Sequence, residues 1–227
     1  MFENREDAGR KLAQLIKKLD LDPEDTVILA IPRGGVPVAF EVSRETKIPF
    51  SLVVVKKLTL PHAPESAVGA IAPDGTYVID KQFFPIVSQG NILEQMISEA
   101  MKEIKKRLEK YLNNKIPDVK DKTVIIIDDG LATGYTALVA GLYARNLGAK
   151  GLILAVPVCP ADSIQKAKKV FQKVICAEVV NDTFFAVGAY YKDFHQLSDE
   201  EMLSYLKLAE ELGILYNKYK EEENENI

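Results

Sequence analysis

The sequence predicts an α/β fold: a mostly parallel sheet flanked by helices, with a loop and helical insertion and a small C-terminal elaboration. Short apolar runs, "TVILAI", "FSLVVV", "TVIIID", "LILAVPV" and "VICAEVV", recur along the chain and are continuous rather than alternating, as in strands covered on both faces. Segments with helical periodicity separate most of them, and alternation of this kind builds a parallel sheet covered by helices. The 227 residues, 47% of them hydrophobic, suffice for one sizeable core, and no repeat or low-complexity linker divides them. One domain over 1–220 is expected, with an insertion at about 58–120, a C-terminal elaboration at about 181–220 and a frayed charged tail at 221–227.

Ala8, Leu12, Leu15, Ile16 and Leu19 recur at helical spacing and predict a first helix from Arg5 to Leu19, ended by "DLDPED". Strands follow at 26–31 and 50–55, with a helix at 38–45 between them. From Lys57 to Gln89 the chain reads as a loop with a weak hairpin, "VGAIAPDGTYVID", whose "PDG" supplies turn chemistry. A long helix at 92–112, a strand at 123–128, a helix at 135–147, a strand at 152–158, a helix at 164–174 and a strand at 174–180 complete the alternation. The aromatic stretch "NDTFFAVGAYYKDFHQ" then leads to a last helix, opened by Ser198 with Glu201 three residues on as a capping box.

The formal net charge of −4 offers no general attraction to nucleic acid or anionic membranes, so an anionic ligand must be held by local groups. Cys159, Cys176, His62 and His195 lack the spacing of a zinc site, and free thiols in a reducing cytoplasm are expected. The N-terminus is amphipathic rather than a signal peptide. No run approaches the ~20 apolar residues of a membrane span, which points to the cytoplasm.

In a parallel sheet, ligands gather beyond the carboxyl ends of the strands. Two loops at such ends stand out. In "AIPRGGVPVAF", Arg33 is the natural anion-binding side chain, and Gly34 and Gly35 allow unusual backbone conformations and close approach to a ligand, although Gly-Gly before a helix also serves as a plain tight turn. In "TVIIIDDGLATGYTA", Leu131 to Thr136 offers small residues, two hydroxyls and the N–H groups of a helix start, a cradle for phosphate. Asp128 and Asp129 would repel that phosphate; as pure acceptors they suit vicinal hydroxyls or a cation. A sugar phosphate satisfies both ends. The loop has no Lys before its Thr, as a P-loop would, and "RGGVPV" is no dinucleotide fingerprint. A phosphoaspartyl hydrolase would carry a second Asp where Leu131 stands. Asp129 as a mere helix cap is the bland alternative.

"VIIIDDGLATGYTA" closely resembles the phosphoribosyl-pyrophosphate (PRPP) signature of type I phosphoribosyltransferases. "AIPRGGVPVA" resembles that family's pyrophosphate loop, and Phe2 to Ala13 with "FFAVGAYYKDFHQLSDEE" resemble a prokaryotic phosphoribosyltransferase-like group without a settled substrate. The likeness is strong at 26–37 and 123–137 and loose between 58 and 120. It implies that Asp128 and Asp129 hold the ribose hydroxyls, and that Gly130 and the loop Ala132, Thr133, Gly134, Tyr135 and Thr136 take the 5-phosphate. Arg33, Gly34 and Gly35 would take the pyrophosphate, with Lys56 and Lys57 as the nearest further cations. Mg²⁺ would come mainly with the pyrophosphate, with Asp128 and Asp129 as possible protein ligands.

The reaction implied breaks the bond from the anomeric carbon to pyrophosphate through an oxocarbenium-like state, by positioning and charge stabilisation. A closing loop over Leu60 to Gly90 is expected to exclude water, with Glu65 the acid nearest the acceptor. Where the 6-oxopurine branch of the family has an Asp before the Thr-Gly, this chain has Ala132, so the acceptor is expected to be adenine, a pyrimidine or another base or amine. Asp182, Phe184 and Phe185 are further candidates near it. A non-catalytic PRPP-binding regulator is the alternative. The apolar face Leu93, Met96, Ile97, Ala100, Met101, Ile104 and Leu108 suggests either monomer core or, by resemblance, a homodimer.

Overall fold

In a computed structural model, which describes residues 1–221, the runs read as buried strands form a five-stranded parallel sheet. Its strands are β1 (Thr26–Ala30), β2 (Phe50–Leu52), β6 (Thr123–Ile127), β7 (Gly151–Pro160) and β8 (Lys173–Val180), in the order β2-β1-β6-β7-β8. The continuous apolar runs have their reason in the two cores they serve. Ile28, Ala30, Ile125, Ile127, Ile153 and Ala155 face one cluster, while Val27, Leu29, Val124, Ile126, Leu152 and Leu154 face the other, so both sides of β1, β6 and β7 are dry, whereas the edge strand β8 is only partly covered, with Val179 48% exposed.

Helices α1 (Arg5–Lys17) and α2 (Gly35–Thr46) cover the first face with α7 (Asp199–Glu211), whereas α5 (Tyr135–Asn146) and α6 (Ala161–Ala167) cover the second. Asn4 caps α1 by accepting from the Asp7 N–H, and Ser198 and Glu201 close the expected capping box on α7. The sixth helix is shorter than the periodicity of 164–174 suggests. It begins at Ala161, directly after Pro160, and stops at Ala167, because Phe171 turns down to fill the space beside Gly141 of α5 and the chain re-enters the sheet at Lys173.

The segment expected to be a closing loop over 60–90 is largely ordered structure. It forms a second, antiparallel sheet of β3 (Lys56–Leu60), β4 (Ala63–Ile71) and β5 (Tyr77–Ile79), followed by a short helix α3 (Phe84–Val87). The hairpin centred on Asp74 and Gly75 is present, and Gly75 adopts the positive φ of 86° that this turn requires. The preceding hairpin, β3 to β4, was not legible, since "PHAPES" carries few apolar residues and its register shifts at Thr59.

Helix α4 (Ile92–Leu112) matches the expected bounds and settles the place of its apolar face. Met96, Ala100 and Ile104 are buried in the first core, with Ile97, Met101 and Leu108 packed on it, so this face belongs to the monomer and gives no argument for a dimer. Cys159 and Cys176 are both free thiols, on β7 and β8. No helix among the described residues is long and apolar enough to cross a membrane. The expected frayed tail falls almost wholly on 222–227, outside the described residues.

Candidate active site

Strand order reverses between β1 and β6: the chain steps outward from β1 to β2, returns to β6 at the centre, and runs outward the other way to β7 and β8. The crevice between the loops after β1 and β6 is therefore the place where a ligand can enter a parallel sheet. Both loops singled out in the sequence meet there. Ile31 N–H donates to the Ile127 carbonyl oxygen at 2.9 Å and prolongs the β1–β6 pairing to the edge of the crevice.

The glycines of the first loop act through contact rather than unusual backbone. Gly34 has an ordinary φ of −61°. A Cβ on it would overlap Asp129 Oδ2 and lie 2.7 Å from Asp129 Cγ, and a Cβ on Gly35 would lie 2.7 Å from the Ile127 carbonyl oxygen. The two loops thus touch backbone to carboxylate, which only glycine permits. The peptide between Pro32 and Arg33 is cis.

The two acids are held differently. Asp128 accepts the Asp129 N–H at 2.8 Å, and burial, reinforced by the neighbouring Asp129 charge, pushes its carboxyl well above the usual carboxylate range. Asp129 is gripped from outside. Arg5, on α1, places Nε 3.0 Å from Asp129 Oδ2, and the Tyr191 hydroxyl donates to the Asp129 carbonyl oxygen at 2.6 Å.

Two cavities open on either side of Asp129. One, of about 290 Å³, is lined by Lys56, Lys57, Arg107, Asp128, Asp129 and Thr136 together with apolar wall residues. Three cations and two acids thus share one hollow in a chain of net negative charge. Burial lowers the Lys56 pKa, and the nearby Arg107 charge adds to the effect. Arg107 projects from α4 and escaped sequence reasoning, since one Arg on a Lys-rich helix face carries no local signal. The other cavity, of about 330 Å³, is lined by Arg5, Arg33, Gly34, Asp129, Phe194, Gln196 and Leu197. Arg33 lies 3.7 Å from Asp199 at the start of α7, which also binds Lys110 at 2.7 Å and accepts from the Tyr111 hydroxyl. The acidic start of α7 therefore parks the Arg33 guanidinium at the mouth of the crevice.

In the second loop, Gly134 takes a φ of 83° and starts α5, while Ala132 and Thr133 stand exposed on the turn before it. Gly130 lies under Val187, where a Cβ would come within 2.5 Å of Cγ1. The Tyr135 side chain leaves the crevice and donates to Asp80 at the end of the outer sheet, so this residue offers the loop only its backbone. Glu65 is exposed on β4 and lines neither cavity. Asp182 accepts from the Tyr190 hydroxyl, Phe184 is 93% exposed, and Phe185 stacks on Tyr190 rather than facing the crevice. Among the described residues no group of three or more His, Cys, Asp or Glu side chains could hold a metal ion.

The family model for the phosphoribosyl transferase domain matches residues 2–194. The chain belongs to this family. Two proteins of Mycobacterium tuberculosis, from strains CDC 1551 and H37Rv, each described as "Putative phosphoribosyl transferase", are 38% identical over 216 residues. That match covers 92% of this chain and 47% of each relative, so the chain spans about half the length of the curated relatives it matches. The crystal structure of TT1426 from Thermus thermophilus superposes with a TM-score of 0.74 at 32% identity, covering 91% of this chain and 97% of that one. The family match takes in both loops that meet at the switch point, the N-terminal segment and the aromatic stretch as far as Phe194.

Proposed function

We propose that the protein transfers the 5-phosphoribosyl group of PRPP to a nitrogenous base or amine, with release of pyrophosphate. The observation that carries this reading is the shared hollow at the switch point, where the acid pair, Thr136 and the cations Lys56, Lys57 and Arg107 face one another. Asp128 and Asp129 suit ribose hydroxyls, and the start of α5 with Thr133 and Thr136 suits the 5-phosphate. Arg33 suits the pyrophosphate, released from Asp199 when a stronger anion arrives.

Mg²⁺, when bound, would neutralise the charge of the departing pyrophosphate, and the sparse protein ligand set fits an ion that arrives with its phosphates and keeps several waters. Asp128 and Asp129 are the only protein groups proposed for it. The outer sheet and the segment 181–197 flank the crevice and are suited to limit water access. Incubation with PRPP, Mg²⁺ and a panel of bases, following pyrophosphate release against a no-base control, tests the reading. Release that depends on one added base supports it. Binding of PRPP with no release for any base would assign the protein to the regulatory alternative.

A further inference from the structure

We infer that Arg5 is a positioning residue that fixes the Asp129 carboxylate for its ligand, and that the N-terminal segment and the C-terminal aromatic stretch exist as a pair to hold this arginine. The inference rests on the reading of Asp129 as a ribose-hydroxyl acceptor. Arg5 is the first residue of α1 and only 7% exposed. An arginine at that depth is uncommon unless paired on every side. Its Nε meets Asp129 Oδ2 at 3.0 Å and its Nη1 donates to the His195 carbonyl oxygen at 2.9 Å, while the guanidinium lies 4.1 Å from the centre of the Phe194 ring.

The supports of the arginine are themselves tied to the acid. Phe2 forms a bridge with Tyr191, whose ring lies 4.9 Å from that of Phe194 and whose hydroxyl binds the Asp129 carbonyl oxygen. Side chain and main chain of Asp129 are thereby clamped by one unit assembled from the two ends of the domain. The clamp occupies Oδ2 alone. Among the described residues Oδ1 accepts no hydrogen bond from the protein, and the Asp129 side chain remains 15% exposed beside both cavities. One oxygen is thus held and the other presented, with its direction set by Arg5. Lysine would keep the charge but could not bind Asp129 and the His195 carbonyl in one fork.

The test compares affinities for ribose 5-phosphate, its 2-deoxy and 3-deoxy forms, and Mg-pyrophosphate, by calorimetry on the full chain. Wild type is expected to favour ribose 5-phosphate over at least one deoxy form by about tenfold or more, one hydrogen bond to a charged group being worth that much. Arg5→Ala is expected to bring that ratio near one while pyrophosphate affinity stays within about threefold, and Arg5→Lys to restore part of the ratio. Should Arg5→Ala fail to fold, Arg5→Lys carries the same reading, with a smaller fall. An unchanged ratio in a folded variant, or equal losses for every ligand, would overturn the inference while leaving the ligand assignment intact. Wild type that binds none of these ligands would instead overturn the reading of the site itself.

Discussion

Gly34 and Asp129 are in such close contact that no side chain fits between them: a methyl group on Gly34 would lie 2.7 Å from Asp129 Cγ and overlap its Oδ2. The loop after β1 and the acid pair after β6 therefore touch directly across the switch point.

Gly34→Ala is accordingly expected to displace Asp129 and to weaken PRPP binding by about tenfold or more, with a loss of stability of about 1–3 kcal/mol from overpacking. Calorimetry and chemical denaturation measure the two effects separately. A neutral outcome in both would mean that the loops do not meet in this way.

Arg33→Ala is expected to weaken PRPP and pyrophosphate by about 1.5–3 kcal/mol and ribose 5-phosphate far less. The substitution also frees Asp199, which keeps Lys110 and Tyr111, so the fold should be little affected. Equal losses for the three ligands would place Arg33 elsewhere in the chemistry.

Asp128→Asn should make the protein more stable while it makes the site worse. Burial and the Asp129 charge raise the Asp128 pKa in the folded state, so the folded chain holds a proton that the unfolded chain releases above the ordinary carboxylate range. Proton release by the unfolded chain then lowers stability progressively as pH rises from that range towards the raised value. With a chelator present, the melting temperature of the variant should rise relative to that of wild type as pH is raised from about 3 to about 7. A lower melting temperature at neutral pH would contradict this account of the acid pair.

The acceptor is addressed by Ala132. It stands exposed at the turn before α5 and can neither take nor give a proton, so hypoxanthine and guanine are expected to be poor acceptors. Conversion of either at a kcat/KM of ~10⁴ M⁻¹s⁻¹ or more would refute the expectation.

The parallel sheet and its two loops were legible because each signal is local. A continuous apolar run marks a strand covered on both faces, and the acid pair with its hydroxyl-rich turn carries its chemistry in consecutive residues. Arg5 and Arg107 were not legible, because their meaning comes from long-range contacts: Arg5 meets Asp129 across 124 residues of chain. Periodicity alone shows α1 and α4 as ordinary amphipathic helices. The purpose of Gly34 and Gly35 is hidden in the sequence for the same reason. Conformational freedom is a property of one residue, whereas the contact with Asp129 exists only once β1 and β6 pair. Glu65, chosen for its place in an expected loop, lies exposed on β4, away from both cavities.

The central claim, that this crevice holds PRPP through its acid pair, is tested most directly by calorimetric titration of PRPP with Mg²⁺ into wild type and into the Asp128→Asn, Asp129→Asn double variant. Wild type should bind, with Mg²⁺ strengthening the interaction, and the folded double variant should show no measurable binding. Equal affinity in the two proteins would contradict the claim.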